Sequence, residues 1–509
     1  MMQNTDDIKG IERTELAKDQ YVMSIDMGTT HMKCGVFDSC GRMADLKMAP
    51  TPARSDGMGT IYVPEQLMTI LTEMIFELLD RYPGVRTIAI TGMSEAGLIF
   101  NIKKHCPVTP ILPWFDLRTQ TYSAAMDDGA MEARFYTTGL RNSYKYGIYK
   151  FLWLAGHYPV DRDHALWLSV TDYIAWALTG CLATTPTFAA RTYAYDIYNG
   201  CWDVDYLHGF GLSPDHMPTV IPEGQPVGYL QSGGYVSTLS PAAHMDSRPT
   251  DITVCIAGHD HVCAAVALQG GQTPGICNSV GTAETYLGFL ERRSLTPRDY
   301  GSGLIFGPAP IPGKFFWMAN IPSSGKSLEW LRSRLGNLDY TEVNRLVESL
   351  PPGPTGLLYY PFLSGAGTPL FDAGASAALM GIRDSHTNAH LLKGILEGLN
   401  YFGRYLLSLT PEDPLAHRRL YCGGGAAYSR PWMEIKAAIT GCTVCLSKVS
   451  EATLLGAAAL SLTPSCRKIF LSDVNTQTWS VPPPPALSGM YDAVYEDQYV
   501  PLLHALYKL

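Results

Sequence analysis

No stretch of this sequence stays apolar over the ~18 residues that a membrane-spanning helix needs; "LLGAAALSL" at 454–462 falls well short. Lys and Arg form no long block and the formal net charge is −9, so the footprint of a nucleic-acid or anionic-membrane partner is missing. The first twenty residues, "MMQNTDDIKGIERTELAKDQ", are polar and lack the apolar segment of a secretory signal. We therefore expect a cytoplasmic protein with a polar N-terminal extension over 1–20, and its 12 cysteines as reduced thiols rather than a disulfide framework. Cys442 and Cys445 form a CxxC, but no second such pair exists to complete a zinc site. The alternation of Cys442, Val444 and Leu446 reads instead as a strand with structural cysteines.

What is present is the composition of an ordinary folded protein, 46% hydrophobic and 17% charged, in a chain of 509 residues that is too long for one core. Two domains are expected. Residues 213–251 are rich in Gly, Pro and Ser with no helical period, which places the domains at 21–250 and 251–509. In "PEQLMTILTEMIFELLDRY" (64–82), Leu67, Ile70, Leu71, Met74, Ile75 and Leu78 share one helical stripe, and "VRTIAITGM" from Val85 reads as a buried strand. A helix followed by a strand ending in Gly92 predicts an α/β sheet whose loops face a site. From 144 to 180 the pattern is mainly helical, with Gly180 as the C-cap.

Three glycine turns carry the chemistry. In "YVMSIDMGTTHMKCGVFD" (21–38), Val22, Ser24 and Asp26 alternate with Met23, Ile25 and Met27, which predicts a strand with one buried face, a turn at Gly28, and a hairpin partner. Thr29 and Thr30 offer hydroxyl and N–H donors suited to phosphate oxygens, and Asp26 could hold a cation, although ordinary hairpin turns favour the same residues. "GICNSVGTAETYLGFLE" (275–291) repeats the arrangement with Ser279, Gly281 and Thr282. Two such hairpins suit the two sides of one polyphosphate. In "CGGGAAYSRPW", Gly423, Gly424 and Gly425 separate a strand from a helix starting near Ser429, where a flat ligand or a phosphate can approach. "SSGKS" (323–327) resembles the end of a phosphate loop, but Asn320 stands where that motif requires Gly, and a helix start at Ser324 is the simpler reading.

The segments "DMGTTHMK", "AGHDHVCAA", "SVGTAE", "YYPFLSGAGTP" and "CGGGAAYSRPWMEIKAAITG" resemble, in order and spacing, the FGGY carbohydrate kinases, over nearly all of residues 21 to 460. "AALMGIRDSHTNAHLLKGILEG" resembles the family signature but has Gly394 where Ala or Ser is usual. The resemblance implies an α/β fold of two actin-like (ribonuclease H-like) domains with a cleft between them, MgATP as phosphate donor, and a small sugar or polyol as acceptor. Position by position it implies that Asp26 holds magnesium, that Thr29, Thr30 and Lys33 contact phosphate, and that Asp260 is the catalytic base. Gly281 and Thr282 correspond to the second phosphate turn, and Gly424, Gly425 and Ala426 to the adenosine wall. "SEAG" (94–97) and "SGAGTP" (364–369) stand where members acting on ketopentoses commonly have "MHG" and "SGERTP", so the resemblance does not point to xylulose.

Glu95, beyond a strand end, and Trp114, Asp116 and Arg118 in "WFDLRT" are the expected acceptor-binding residues. Trp114 offers an apolar face and the others bond hydroxyls, while a surface salt bridge between Arg118 and a carboxylate is the competing reading. A catalytically inactive sugar-binding regulator and an actin-like ATPase are the rival functions. The presence of both Asp26 and Asp260 argues against the first, and the polar rim of Glu95 and "WFDLRT" against the second. A homodimer is the assembly held open.

Overall fold

The structure, a computed structural model, describes residues 11–126, 128–231, 251–270, 275–411, 419–447, 449–472 and 479–507. Residues 1–10 of the expected extension and 232–250 of the Gly/Pro/Ser-rich stretch lie outside the described residues. The chain divides into two units: Met1–Gly271 with Phe306–Phe315 and Glu451–Asp473, and Gln272–Ile305 with Phe316–Ser450 and Val474–Leu509. The expected cut at residue 250 is thus displaced. The strand and helix that follow it belong to the first unit, because that strand finds its pairing partner there.

In the first unit, β1 (Tyr21–Met27), β2 (His31–Phe37) and β3 (Met43–Pro50) form an antiparallel meander. Helix α1 (Pro64–Arg81) follows, with Pro in its first turn, where a missing N–H costs nothing. After β4 (Val85–Gly92) come helix α2 (Gly147–His157), β5 (Ala165–Ser169), α3 (Val170–Thr179), β6 (Pro226–Tyr229), β7 (Thr253–His259) and α4 (Asp260–Gln269). The main sheet has the order β6-β7-β4-β1-β2-β3. Strands β1, β4 and β7 are mutually parallel and β6 is antiparallel to β7. Strand β1 does not have the single buried face its alternation predicts: Val22, Met23, Ser24, Ile25 and Met27 are all inaccessible, as befits a central strand covered on both sides. Part of that cover is the helix Ala452–Leu460, the "LLGAAALSL" run. It lies on β1 and β4, and its Gly456 approaches α4 so closely that a Cβ there would sit 1.8 Å from the Cys263 carbonyl oxygen.

Residues 144–180 are not wholly helical, since β5 pairs antiparallel with Gly97–Asn101. Every residue of β5 is buried, so its run carries no period that would separate strand from helix. Helix α3 has the expected αL cap at Gly180, and a capping box between Ser169 and Asp172 at its start.

The second unit contains β8 (Ile276–Val280), β9 (Glu284–Glu291), helix α5 (Gly325–Arg334), helix α6 (Asn388–Ser408), β10 (Arg419–Gly423), helix α7 (Arg430–Thr440), β11 (Thr443–Leu446) and β12 (Trp479–Val481). Five strands of its seven-stranded sheet run β9-β8-β10-β11-β12. Here β8, β10 and β11 are parallel and the two flanking strands antiparallel to their neighbours. This repeats the β2-β1-β4-β7-β6 arrangement of the first unit, so the hairpins turning at Gly28 and Gly281 are equivalent parts of a duplicated design. Gly394 of α6 has a local reason, because a Cβ there would lie 2.8 Å from that of Leu357. Cys442 and Cys445 are buried at β11 as packing residues. Among the described residues no helix is long and apolar enough to cross a membrane.

Candidate functional site

In both units the candidate residues follow the carboxyl ends of the parallel strands, where loops of an α/β sheet converge. In the first unit Asp26 is the penultimate residue of β1, paired with Lys33 of β2 on one side and Thr91 of β4 on the other. Burial, then the charge of Asp260, push its carboxyl up to about 7, with Lys33 opposing and Glu451 adding to the rise. Its Oδ1 is buried with no hydrogen-bond partner. A carboxylate so placed has an unused oxygen and two acidic neighbours, the environment in which a divalent cation relieves both desolvation and repulsion.

Asp260 opens helix α4 directly from the end of β7, with no intervening turn. Its Oδ1 accepts the backbone N–H of His261 at 2.6 Å and lies 2.9 Å from Nδ1 of His259. Burial would raise its pKa, but the imidazoles of His261 and His259 and these hydrogen bonds outweigh it and hold the carboxyl well below the usual range. Oδ2 accepts no hydrogen bond among the described residues. Asp260 is therefore an ionised carboxylate with one oxygen clamped and one open.

Glu95 is buried and anionic. Its Oε2 accepts from Ser94 Oγ at 2.6 Å, and its Oε1 from Arg191 Nε at 3.0 Å and from Arg191 Nη2. Burial would raise its pKa, yet Arg191 first and His259 next bring it to about 2. Sequence reasoning missed Arg191. The available signal was a lone cation inside the apolar run "FAARTYAY", which must find an anion once buried.

Trp114 is half-buried, and its indole Nε1 donates to Thr29 Oγ1 at 2.9 Å, which joins the expected acceptor residue to the first glycine turn. Asp116 and Arg118 are bonded within the protein. Arg118 donates to both oxygens of Asp116 and both of Asp56, and Asp116 also accepts the backbone N–H of Thr60. Both side chains are nearly inaccessible, at 2% for Asp116 and 4% for Arg118. With these bonds made inside the protein they brace the loop that carries Trp114, as a buried pair rather than the surface salt bridge of the competing reading. Lys33 is also engaged, donating to Glu451 Oε1 at 3.0 Å and Oε2 at 2.8 Å. Thr30 is exposed at the turn, and its carbonyl accepts from Thr51.

In the second unit the Gly281–Thr282 turn is exposed, and its two carbonyls accept the backbone N–H groups of Gly325 and Lys326 at 3.0 and 3.1 Å. The amides of "SSGKS" are thereby spent on holding the turn. Ser324 does not cap α5 as expected: its Oγ donates to Glu284 Oε2 at 2.8 Å. Glu284 also accepts from Asn278 Nδ2 at 3.0 Å and from Lys436 Nζ, and the Glu284 and Lys436 side chains are 0% exposed. Lys436 lies on α7, the helix after the glycine triplet. One buried ion pair therefore ties the turn at 281–282 to the strand-to-helix segment at 424–429. The two segments also touch directly, since a Cβ on Gly424 would lie 2.6 Å from the Val280 carbonyl oxygen at φ +94°. Gly425 has open space where its Cβ would be, and Gly424 and Gly425 are exposed, with Ala426 half-buried beside them.

Residues 21–267 match the N-terminal domain of the FGGY family of carbohydrate kinases, and residues 277–463 match its C-terminal domain. The xylulose kinase of Bacillus subtilis is 25% identical over 452 residues, covering 87% of this chain and 88% of that protein. The glycerol kinase of Leptothrix cholodnii is 26% identical over 463 residues, covering 87% and 90%. The crystal structure of ligand-bound xylulose kinase from Lactobacillus acidophilus shares the fold with a TM-score of 0.83 at 19% identity, covering 96% of this chain and 98% of that one. The matches run through both units in order, and the chain belongs to the FGGY family of carbohydrate kinases, with that family's two-domain, actin-like fold.

Proposed function

We propose that this kinase moves the γ-phosphoryl group of ATP to a hydroxyl of a small polyhydroxylated acceptor, with Asp260 as general base. The observation that carries this is the pair of neighbouring carboxylates driven apart: Asp26 raised to about 7 and Asp260 held ionised. Two acidic groups whose environments separate them in this way divide into a cation holder and a proton acceptor. The acceptor hydroxyl forms the new O–P bond, its proton passes to the open Oδ2 of Asp260, the bridging P–O bond of ATP breaks, and ADP leaves. A low-pKa base suits phosphoryl transfer, in which the loose transition state lets the hydroxyl lose its proton late. Glu95, oriented by Ser94 and Arg191, and the Trp114 ring are the acceptor-binding groups. The exposed turns at Thr29–Thr30 and Gly281–Thr282 contact phosphate, and Gly424, Gly425 and Ala426 border adenosine. Acceptor binding belongs to the first unit and adenosine mainly to the second.

Asp26, with its orphaned Oδ1, fits magnesium, which when bound neutralises charge on the phosphoryl oxygens. Proton and cation then compete for this carboxylate. Magnesium binding, read as the rise of Tm with added MgCl2, is expected to tighten by about tenfold per pH unit below 7 and to level off above. The metal-free protein shows the opposite slope. Since the folded pKa, about 7, exceeds the ordinary 3.8, the native state holds the extra proton between those values and stability falls as pH rises through that window. Asp26→Asn should flatten the magnesium profile and lessen the metal-free slope, to which Asp172, Glu223 and Glu397, also raised to about 7, still contribute; a magnesium dependence that survives unchanged in that variant rejects Asp26 as the ligand.

Gly425→Val is expected to raise KM for ATP with little change in Tm, because its side chain enters open space on the adenosine side. Gly424 is the poorer probe, since any side chain there meets the Val280 backbone and strains a left-handed residue. An unchanged KM in a folded Gly425→Val protein would remove this segment from the nucleotide site. The reading as a whole is tested by ADP release from the purified chain with ATP, MgCl2 and a panel of ketoses, aldoses, polyols and sugar acids. Acceptor-stimulated release supports it, and none across the panel favours the inactive regulatory protein.

A further inference from the structure

We propose that the acceptor carries a carboxylate, that Lys145 and Arg191 receive it, and that this kinase therefore acts on a sugar acid. The inference rests on the kinase reading above and concerns the same first-unit site.

Lys145 precedes helix α2 and is largely withdrawn from solvent, yet its ammonium makes no hydrogen bond among the described residues. Its one defined contact is with the face of Trp114, at 5.1 Å from the ring centroid. An ammonium has three donors, and a single ring face satisfies none of them as a hydrogen bond. Glu95, the carboxylate whose charge acts on it, cannot make up the deficit, because it is occupied by Arg191 and Ser94. Burial accordingly pulls the Lys145 pKa down, and Arg191 adds to that against the pull of Glu95.

Arg191 is only 5% exposed and spends Nε and Nη2 on Glu95. Its Nη1 is buried with no partner. The guanidinium also lies within electrostatic reach of Asp260, the proposed base. Lys150, buried on α2, donates to the carbonyl oxygen of Lys145 at 2.7 Å. It fixes that segment, while burial brings its own pKa down to about 7.

The site thus holds two basic side chains with unused donors, both within electrostatic reach of a carboxylate whose bonds are already made. Hydroxyls of a neutral polyol would fill some of these donors but would leave the positive charges desolvated. A carboxylate supplies two acceptor oxygens for the two groups, makes charge-assisted bonds with both, and offsets their mutual repulsion. The Trp114 ring, already turned toward Lys145, offers the carbon chain its apolar face.

The test compares an aldonate, the aldose and the alditol of one carbon skeleton as acceptors in the ADP-release assay, over five- and six-carbon skeletons. The aldonate is expected to exceed both neutral forms in kcat/KM by about 10- to 150-fold, the range for a hydrogen bond to a charged group. Lys145→Met is expected to lower kcat/KM for the aldonate by a similar factor, chiefly through KM, and so to bring the ratio of aldonate to neutral acceptors close to one. Neutral acceptors that match or exceed the aldonate overturn the inference and leave the kinase reading standing, as does a Lys145→Met protein that loses all acceptors equally. If no acceptor of either kind stimulates ADP release, the kinase reading falls and this inference with it. Should Lys145→Met fail to fold, the preference of the unaltered chain decides alone.

Discussion

Asp260→Asn is expected to lower kcat by at least ~100-fold while leaving KM for ATP within a few-fold, the smaller end of the loss for a positioned general base. The substitution is close to isosteric. The asparagine side-chain oxygen can still accept the His261 amide that Asp260 Oδ1 accepts at 2.6 Å, so the start of α4 should keep its geometry. What disappears is the negative charge and with it the capacity of the second oxygen to take a proton. The change also removes one of the charges that raise the pKa of Asp26, so magnesium binding in the variant should shift to lower pH. Steady-state kinetics with saturating ATP and the acceptor found in the panel measure the first effect. Near-normal turnover would show that His259, His261 or solvent accepts the proton instead.

The largest effect on stability is expected at the buried pair of the second unit. Lys436→Met leaves Glu284 uncompensated in a fully buried position, and breaking one side of such a pair costs about 3 to 5 kcal/mol. Urea unfolding measures it. The double variant Lys436→Met with Glu284→Gln removes both charges, lets the amide oxygen accept from Asn278 while its NH2 donates to Ser324 Oγ, and should recover most of the loss. Because Ser324 neighbours the amides that hold the Gly281–Thr282 turn, the single variant is also expected to raise KM for ATP more than KM for the acceptor. Equal stability of the single and double variants would mean that an unpaired Glu284 carries no penalty.

Much of this was legible in the sequence because it is local. The α1 stripe, the two hairpins with their glycine turns, and the glycine triplet before α7 each declare themselves within twenty residues, and the structure builds them there. Partners far apart in the chain were not legible. That β7 joins β4 rather than founding the second unit depends on parallel pairing across more than a hundred residues, which no local period encodes. The strand β5 was hidden because its run is buried throughout. Asp116 and Arg118 have the residue types of a sugar site, but Asp56 and the Thr60 amide, which fill their bonds, come from a separate loop. Arg191, Glu451 and Lys436 were missed for the same reason: each matters through a carboxylate or ammonium that only folding brings to it.

The first unit is not complete when its first 271 residues have been made, because Glu451–Asp473 belong to it. During synthesis the sheet strands β1 and β4 must wait, for roughly 10 to 40 seconds at usual elongation rates, until the helix Ala452–Leu460 leaves the ribosome to cover them. Until then Met23, Ile25 and their neighbours lack part of their cover, and Lys33 lacks the carboxylate of Glu451. A messenger truncated after the second unit's glycine segment would therefore yield not a smaller acceptor-binding protein but a chaperone client, and attempts to express residues 21–270 as an independent domain should give insoluble material unless the 451–473 segment is supplied in trans.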